Sequence, residues 1–318
     1  MPPATMSAVT KPFRFGVQAK QARNRAEWQE QARKVEDLGY STLTIPDHFD
    51  GQFAPALALQ AAADATTDLR LGALVFCNDY RHPVVFANEM ATLDVLSDGR
   101  VELGIGAGWM QTDYVAAGIA YDRPGVRIDR MMESVEILKG LFAPGPYRFE
   151  GEHYTIRDLD LMPKPLQTPH PPFLIGGGGP RMLRLAGEHA DIVGVNPNLQ
   201  SGAIDADTVS DATAERYAEK VAWVREGAGD RFDHIELNIR AFFVVFSDDR
   251  HGTAEAMAGA VGLTAEQALA SPLALVGDAA SMIDDLVERR ERYGFSYIGI
   301  GPDEMDAFAP VVAELAGR

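Results

Sequence analysis

Short apolar stretches alternate with amphipathic helical ones from one end of this sequence to the other, and that alternation limits the possible folds more than any single motif does. Eight strand candidates stand out: Phe13–Gln18, Ser41–Ile45, Leu69–Phe76, Arg100–Gly106, Pro172–Ile175, Asp191–Val195, His234–Phe246 and Phe295–Ile300. Several are apolar nearly throughout (LGALVF, VELGIG, DIVGV, YIGIG), the composition of parallel strands covered on both faces. The intervening helices carry start and stop signals. One opens on Asn24 with Glu27 three places on, sets Trp28, Ala32, Val35 and Leu38 on a single face, and stops at Gly39. Another runs from about Val84 to Leu96, with Pro83 in its first turn and Ser97-Asp98-Gly99 ending it.

Such a pattern builds either an open doubly wound sheet or a closed barrel. Eight strands in 318 residues, with no second region of different composition, favour a single (β/α)8 TIM barrel of the α/β class. The barrel domain is expected over residues 13–318, behind a flexible tail at 1–12. Insertions are expected near Phe142–Pro171, rich in Pro and aromatics, and near Asn196–Asp233, acidic and partly helical.

Charge and cysteine content remove several function classes. With 46 Asp+Glu against 29 Lys+Arg the formal charge is −17, a field that repels phosphate backbones and anionic lipid, so neither nucleic acid nor membrane is an expected partner. No apolar run reaches the roughly 20 residues of a membrane span. The segment MPPATMSAVTKP has neither an apolar h-region nor an Arg-rich amphipathic pattern, so the cytoplasm is the expected compartment. A single cysteine, Cys77, excludes an internal disulfide and a Cys-based zinc site. The histidines have no metal-ligand spacing, so no metal is expected.

In a barrel of this kind the chemistry sits where strands end, so the residues just after each strand carry the functional information. Asp47-His48-Phe49 follows the second strand, and an Asp beside a His can serve acid–base chemistry near neutral pH. An isolated pair of this sort is as readily a turn cap, and spacing alone favours that plainer reading. After the third strand, Cys77 follows an apolar run and reads as a small core residue, with Arg81 and His82 as anchors of the loop. After the fourth comes Gly104-Ile105-Gly106-Ala107-Gly108-Trp109, a partial match to a dinucleotide fingerprint whose third glycine is missing. After the fifth, Gly176-Gly177-Gly178-Gly179-Pro180-Arg181 leads into a helix from Met182 to His189. Four glycines at a helix N-terminus, with Arg181 and Arg184 beside them, favour a phosphate site over a mere turn.

Several longer segments, RHPVVFANEMATLDVLSDGRVELGIGAGW, RIDRMMESVEILKGLF, FEGEHYTI and PKPLQTPHPPFLIGGGGPRMLRLAGEHAD, together resemble the luciferase-like monooxygenase superfamily (LLM class), over nearly the whole chain from Phe13 to FAPVVAEL. Within it the chain is most similar to the branch that uses the deazaflavin coenzyme F420. That resemblance implies a TIM barrel with the deazaflavin across its mouth. Asp47 and His48 match the pair that lies against the ring, which reverses the plainer reading above. Leu74, Val75 and Phe76 match the place of a non-prolyl cis peptide behind the ring, Gly106, Ala107 and Gly108 the segment at its polar edge, and Gly176, Gly177, Gly178, Gly179 and Arg181 the phosphate loop. One departure matters: the sugar-phosphate dehydrogenases of that branch have a catalytic glutamate where this chain has Trp109, so their substrate is not implied here.

The activity implied is hydride transfer between C5 of the deazaflavin and a small unsaturated or carbonyl-type organic substrate, with His48 as proton donor. Phe49, Trp109 and Tyr114 are candidates to line an apolar substrate pocket, core packing being the equal alternative for Tyr114. An FMN-dependent monooxygenase with O2 and a partner reductase is the competing enzyme, and a non-catalytic flavin- or deazaflavin-binding protein the competing class. A homodimer is implied by the resemblance alone. The few cations that would hold an anionic cofactor on an acidic chain are expected at Arg181, Arg184 and Lys164.

Overall fold

In this computed structural model the described residues are 11–259 and 262–318. The tail expected at 1–12 lies outside them as far as residue 10, while Lys11 donates to the His234 carbonyl at 2.9 Å. Thirteen strands follow in chain order: β1 Arg14–Gln18, β2 Thr42–Ile45, β3 Arg70–Ala73, β4 Phe76–Cys77, β5 Val101–Gly106, β6 Tyr147–Glu150, β7 Thr155–Leu159, β8 Phe173–Gly177, β9 Ile192–Val195, β10 Glu236–Arg240, β11 Phe243–Phe246, β12 Ala274–Gly277 and β13 Phe295–Ile300. The main sheet is parallel, ordered β3-β2-β1-β13-β10-β9-β8-β5, and β3 pairs with β5 to close it. It is an eight-stave (β/α)8 barrel, with β3 and β4 forming one stave broken at Leu74–Val75, where the peptide bond is cis.

The local signals act as their chemistry dictates. Asn24 caps its helix by accepting from the Glu27 N–H at 3.1 Å, Trp28, Ala32 and Val35 are buried, and Gly39 takes φ +83° just past the end. The helix Pro83–Leu96 is capped by His82, whose ring nitrogen accepts from the Val84 N–H at 3.2 Å. Two features differ from the expected strands. The stretch 234–246 is two strands, because the Phe242 and Phe243 N–H groups turn away to the Leu273 carbonyl and β11 pairs with β12 outside the barrel. Residues 147–159 form an antiparallel hairpin, β6 with β7, whose half-exposed sequence lacks the apolar run that marks the barrel strands.

The barrel has two separate apolar regions. The large one lies between staves and helices and includes Phe15, Val17, Leu43, Leu103 and Ile105. The small one plugs the interior: Leu174, Ile192 and Tyr297, with Leu74 and Val75 packed on them. Beneath that plug, at the N-terminal ends of the strands, Arg14 pairs with Glu102 at 2.7 Å and Glu236 at 2.6 Å, and Arg70 reaches Glu102 at 2.6 Å. Above it the inward positions are mostly glycine. A Cβ on Gly104 would overlap the Ala73 carbonyl, and one on Gly106 would sit 2.5 Å from Val75 Cγ2. These glycines let the broken stave drop Val75 into the interior, and the result is a flat floor at the C-terminal mouth.

Candidate active site

At the end of β2, Asp47 is buried and fully engaged. Its carboxylate accepts from the Cys77 N–H at 2.9 Å and from Arg81 Nη1 at 2.7 Å and Nη2 at 3.3 Å. Asp47, expected as a site residue, ties the ends of β2 and β4 together, and its negative charge is matched by Arg81. Its neighbour His48 points the other way. Nδ1 of His48 lies 2.6 Å from Oδ2 of Asp113, the ring meets Trp109 edge to face with centroids 5.7 Å apart, and Nε2 has no hydrogen-bond partner among the described residues. Asp113 is buried in the first turn of the helix Gln111–Ala117 and also accepts from the Tyr80 hydroxyl at 3.3 Å. A carboxylate so placed favours the proton on Nδ1 and leaves Nε2 to face a ligand.

A second polar chain runs beneath. Cys77 Sγ is 3.3 Å from the Tyr114 hydroxyl, which donates to Asp79 at 3.0 Å, and Asp79 pairs with Arg130 at 3.1 Å. Burial pushes the Cys77 thiol up to about 12 and holds the Tyr114 phenol above its usual range. Tyr114 is fully buried, so of its two expected roles the structure gives it core packing and not the pocket wall. It also explains Gly108, whose φ is +78° and whose Cβ would overlap the Tyr114 hydroxyl. Ala107 packs against the main core.

Of the three residues expected behind the ring, Leu74 and Val75 carry the cis bond and Val75 lines the floor. The Phe76 side chain does not: it is buried against Phe86, with centroids 4.8 Å apart, and beneath Arg81, so only its backbone borders the site. Phe49 is 54% exposed and packs tilted against Tyr80 with centroids 4.5 Å apart, while Trp109 meets the His48 ring.

The four glycines after β8 divide by role. Gly176 borders Val75, a Cβ on Gly178 would overlap the Pro197 carbonyl, and Gly179 is the N-cap of the helix Pro180–His189 with the Asn198 side chain beside it. No side chain caps that helix, and the N–H groups of Arg181 and Met182 find no partner among the described residues. Two free donors at a ten-residue helix N-terminus form an anion seat. The side chains of the cations expected there are engaged by other groups. Arg181 pairs with Asp129 at the surface, Arg184 with Glu226 at 2.7 Å, and Lys164 binds Asp160 and the Leu141 carbonyl, both at 3.0 Å, toward the opposite end of the barrel. Their charges are met by these nearby carboxylates instead. The cation that does support the loop is Lys220, fully buried, which donates to the Gly178 carbonyl at 2.7 Å and pairs with Asp211 at 2.5 Å. Asp211 also accepts from the Asn198 N–H at 2.7 Å, so one ion pair fixes both loops.

Sequence reasoning therefore missed Asp113, Asp79 and Lys220, and gave Arg81 its role as a loop anchor without its partner. Asp113 lies only four places after Trp109, but nothing in that spacing shows that it meets His48. Among the described residues there is no group of three or more metal-ligating side chains, and no helix is long and apolar enough to cross a membrane.

Comparison with known proteins gives three findings. A family model described as luciferase-like monooxygenase matches residues 6–297. An F420-dependent glucose-6-phosphate dehydrogenase of Microbacterium testaceum is 32% identical over 58% of this chain and 56% of its own length, and an FMNH(2)-dependent dimethylsulfone monooxygenase of Pseudomonas putida is 24% identical over 79% and 68%. An F420-dependent secondary alcohol dehydrogenase solved with an F420–acetone adduct superposes with a TM-score of 0.77 over 96% of this chain and 99% of that one, at 21% identity, a likeness of fold. The chain spans about half the length of the first curated relatives it matches, 50% and 56%.

Proposed function

The chain belongs to the luciferase-like monooxygenase family, and on that premise we propose that it is an F420-dependent oxidoreductase moving a hydride to or from a small unsaturated or carbonyl-type organic substrate. The observation that carries the reading is the His48–Asp113 pair, which holds Nδ1 and leaves Nε2 unpartnered at the same strand-end mouth as the glycine floor.

The residues present fit such a coenzyme. Val75, Gly106 and Gly176 make a surface with no projecting side chain but Val75 itself, and the uncapped helix start at Gly179 offers two N–H donors to a phosphate. When bound, the deazaflavin supplies or accepts the hydride at C5. The protein's own part is proton handling and enclosure. Asp113 holds the imidazole in one tautomer, and protonated His48 donates from Nε2 to the substrate atom that gains negative charge. His48 is partly open to water and recovers its proton there. Phe49 and Trp109 shield the reacting face, which strengthens the charge interactions made inside.

FMN is the competing cofactor, supported by the similarity to the dimethylsulfone monooxygenase. Titration of the purified protein with coenzyme F420 and with FMN, followed by fluorescence, separates the two. Saturable F420 binding is expected, and tight FMN binding with no response to F420 overturns the reading. A cytoplasmic homodimer is part of the same proposal; sedimentation equilibrium showing only monomer removes the dimer from it.

A further inference from the structure

Opposite the broken stave, at the last residue of β10, Arg240 turns into the barrel mouth. Its Nε donates to Gln18 Oε1 at 3.3 Å, Nη1 donates to the Ala241 carbonyl, and Nη2 has no hydrogen-bond partner among the described residues. Among the described residues no carboxylate lies within ion-pair distance of it, whereas Arg81, Arg130, Arg181 and Arg184 each touch one. The side chain reaches Gln18 by crossing Gly299, where a Cβ would stand 3.3 Å from Arg240 Cδ. Gln18 in turn donates from Nε2 to the Leu74 carbonyl at 2.9 Å, so the guanidinium is fixed relative to the floor by a single amide. Phe242, 51% exposed, lies with its ring centroid 5.3 Å from the Arg240 guanidinium, and Phe243 is exposed beside it.

We propose that Arg240 is the group that recognises the substrate, and that the substrate is an organic acid whose carboxylate binds at the unpartnered Nη2 and the remaining N–H of Nη1 while its apolar part lies against Phe242. The assignment rests on the coenzyme reading only for where the ring goes. In the closed sheet β10 is four staves from β3 and two from β8, so Arg240 faces the floor from the side away from Val75. A guanidinium fork matches a carboxylate in two parallel hydrogen bonds. A phosphate dianion is the poorer fit, because the Glu304 carboxylate, whose Oε2 borders Gly301 together with Arg240 Nη2, repels a second negative charge. Burial has already pushed the Arg240 guanidinium down to about 10, and Glu304 opposes that only in part. This is a charge desolvated without a partner, and an incoming carboxylate would complete it.

Benzoate and its neutral counterpart benzamide test the assignment by ligand-observed NMR titration of the intact protein, with Arg240→Gln and Arg240→Lys beside it and an F420 titration of each. Wild type is expected to bind benzoate at least about tenfold more tightly than benzamide. Arg240→Gln should lose that preference and Arg240→Lys keep part of it, with thermal midpoints and F420 affinity close to wild type. Equal affinity for the two probes in wild type, or an undiminished preference in Arg240→Gln, overturns the proposal. A tenfold loss of F420 affinity in Arg240→Gln with benzoate preference intact also overturns it, by giving Arg240 to the coenzyme. Arg240-dependent benzoate binding by a protein that never binds F420 leaves this inference standing and removes the coenzyme reading instead.

Discussion

Nδ1 of His48, at the end of β2, lies 2.6 Å from Oδ2 of Asp113, a residue 65 places later in the first turn of a helix. Asp113→Asn can still touch His48, but its amide can present N–H to Nδ1 and so favours the wrong tautomer. A fall in kcat of at least about tenfold is expected, with F420 affinity within a few-fold of wild type. His48→Ala should cost about a hundredfold or more. Single-turnover kinetics beside a fluorescence titration separate the two quantities, and unchanged turnover at saturating substrate takes His48 out of the mechanism.

Gly106→Ala places a methyl 2.5 Å from Val75 Cγ2. The interior plug must then shift, at a cost of about 1–3 kcal/mol, and the floor is no longer flat. Thermal unfolding should show a lower midpoint and F420 titration a weaker affinity. Retention of both at wild-type values would mean that the floor is not the coenzyme seat.

Asp47 and Arg81 form a buried pair at 2.7 Å. Arg81→Met leaves the carboxylate with only the Cys77 N–H, and a loss of about 3 kcal/mol is expected by urea unfolding. A change below about 1 kcal/mol would show the pair to behave as an exposed one.

Cys77 is the single cysteine, buried, with its thiol pushed up to about 12. A thiol-specific disulfide reagent at pH 8 should leave the native protein unlabelled on the timescale that labels the denatured chain at once. Rapid stoichiometric labelling of the native protein would show that the site opens to reagent.

Burial opposes ionisation of Glu102, but Arg14 and Arg70 outweigh it and hold the carboxyl below its ordinary range. A folded-state pKa below the unfolded one, about 4.3, gives stability that is fully present above that pH and is lost as pH falls through the folded value. Thermal midpoints measured from pH 6 to pH 3 should therefore fall more steeply for wild type than for Glu102→Gln. Parallel curves would assign the acid limb to other carboxylates.

Where the hydrophobic period was strong, the sequence was a sufficient guide. β2, β5, β9 and β13 are found within a residue of their expected ranges, and Asn24, Gly39, Pro83 and Gly99 bound their helices as their backbone chemistry requires. The hairpin at 147–159 was not legible, because its half-exposed residues give no apolar run, and the split at 241–242 was not, because one continuous apolar stretch serves two sheets.

Alternation of short buried strands with capped helices determined the closed barrel, since those periods arise from bonds between near neighbours and are written locally. The same holds for the glycine loops, whose conformational freedom belongs to the residue itself. What tertiary structure alone decided is which charge meets which. Asp47 was expected to act and is tied by Arg81, Arg181 was expected at the phosphate loop and pairs with Asp129, while Asp113, Lys220 and Arg240 reach the mouth from segments far apart in sequence. Ion pairs and hydrogen bonds form over about 3 Å, and whether two side chains come that close depends on the closure of the barrel and the length of its loops, neither of which leaves a period in the sequence.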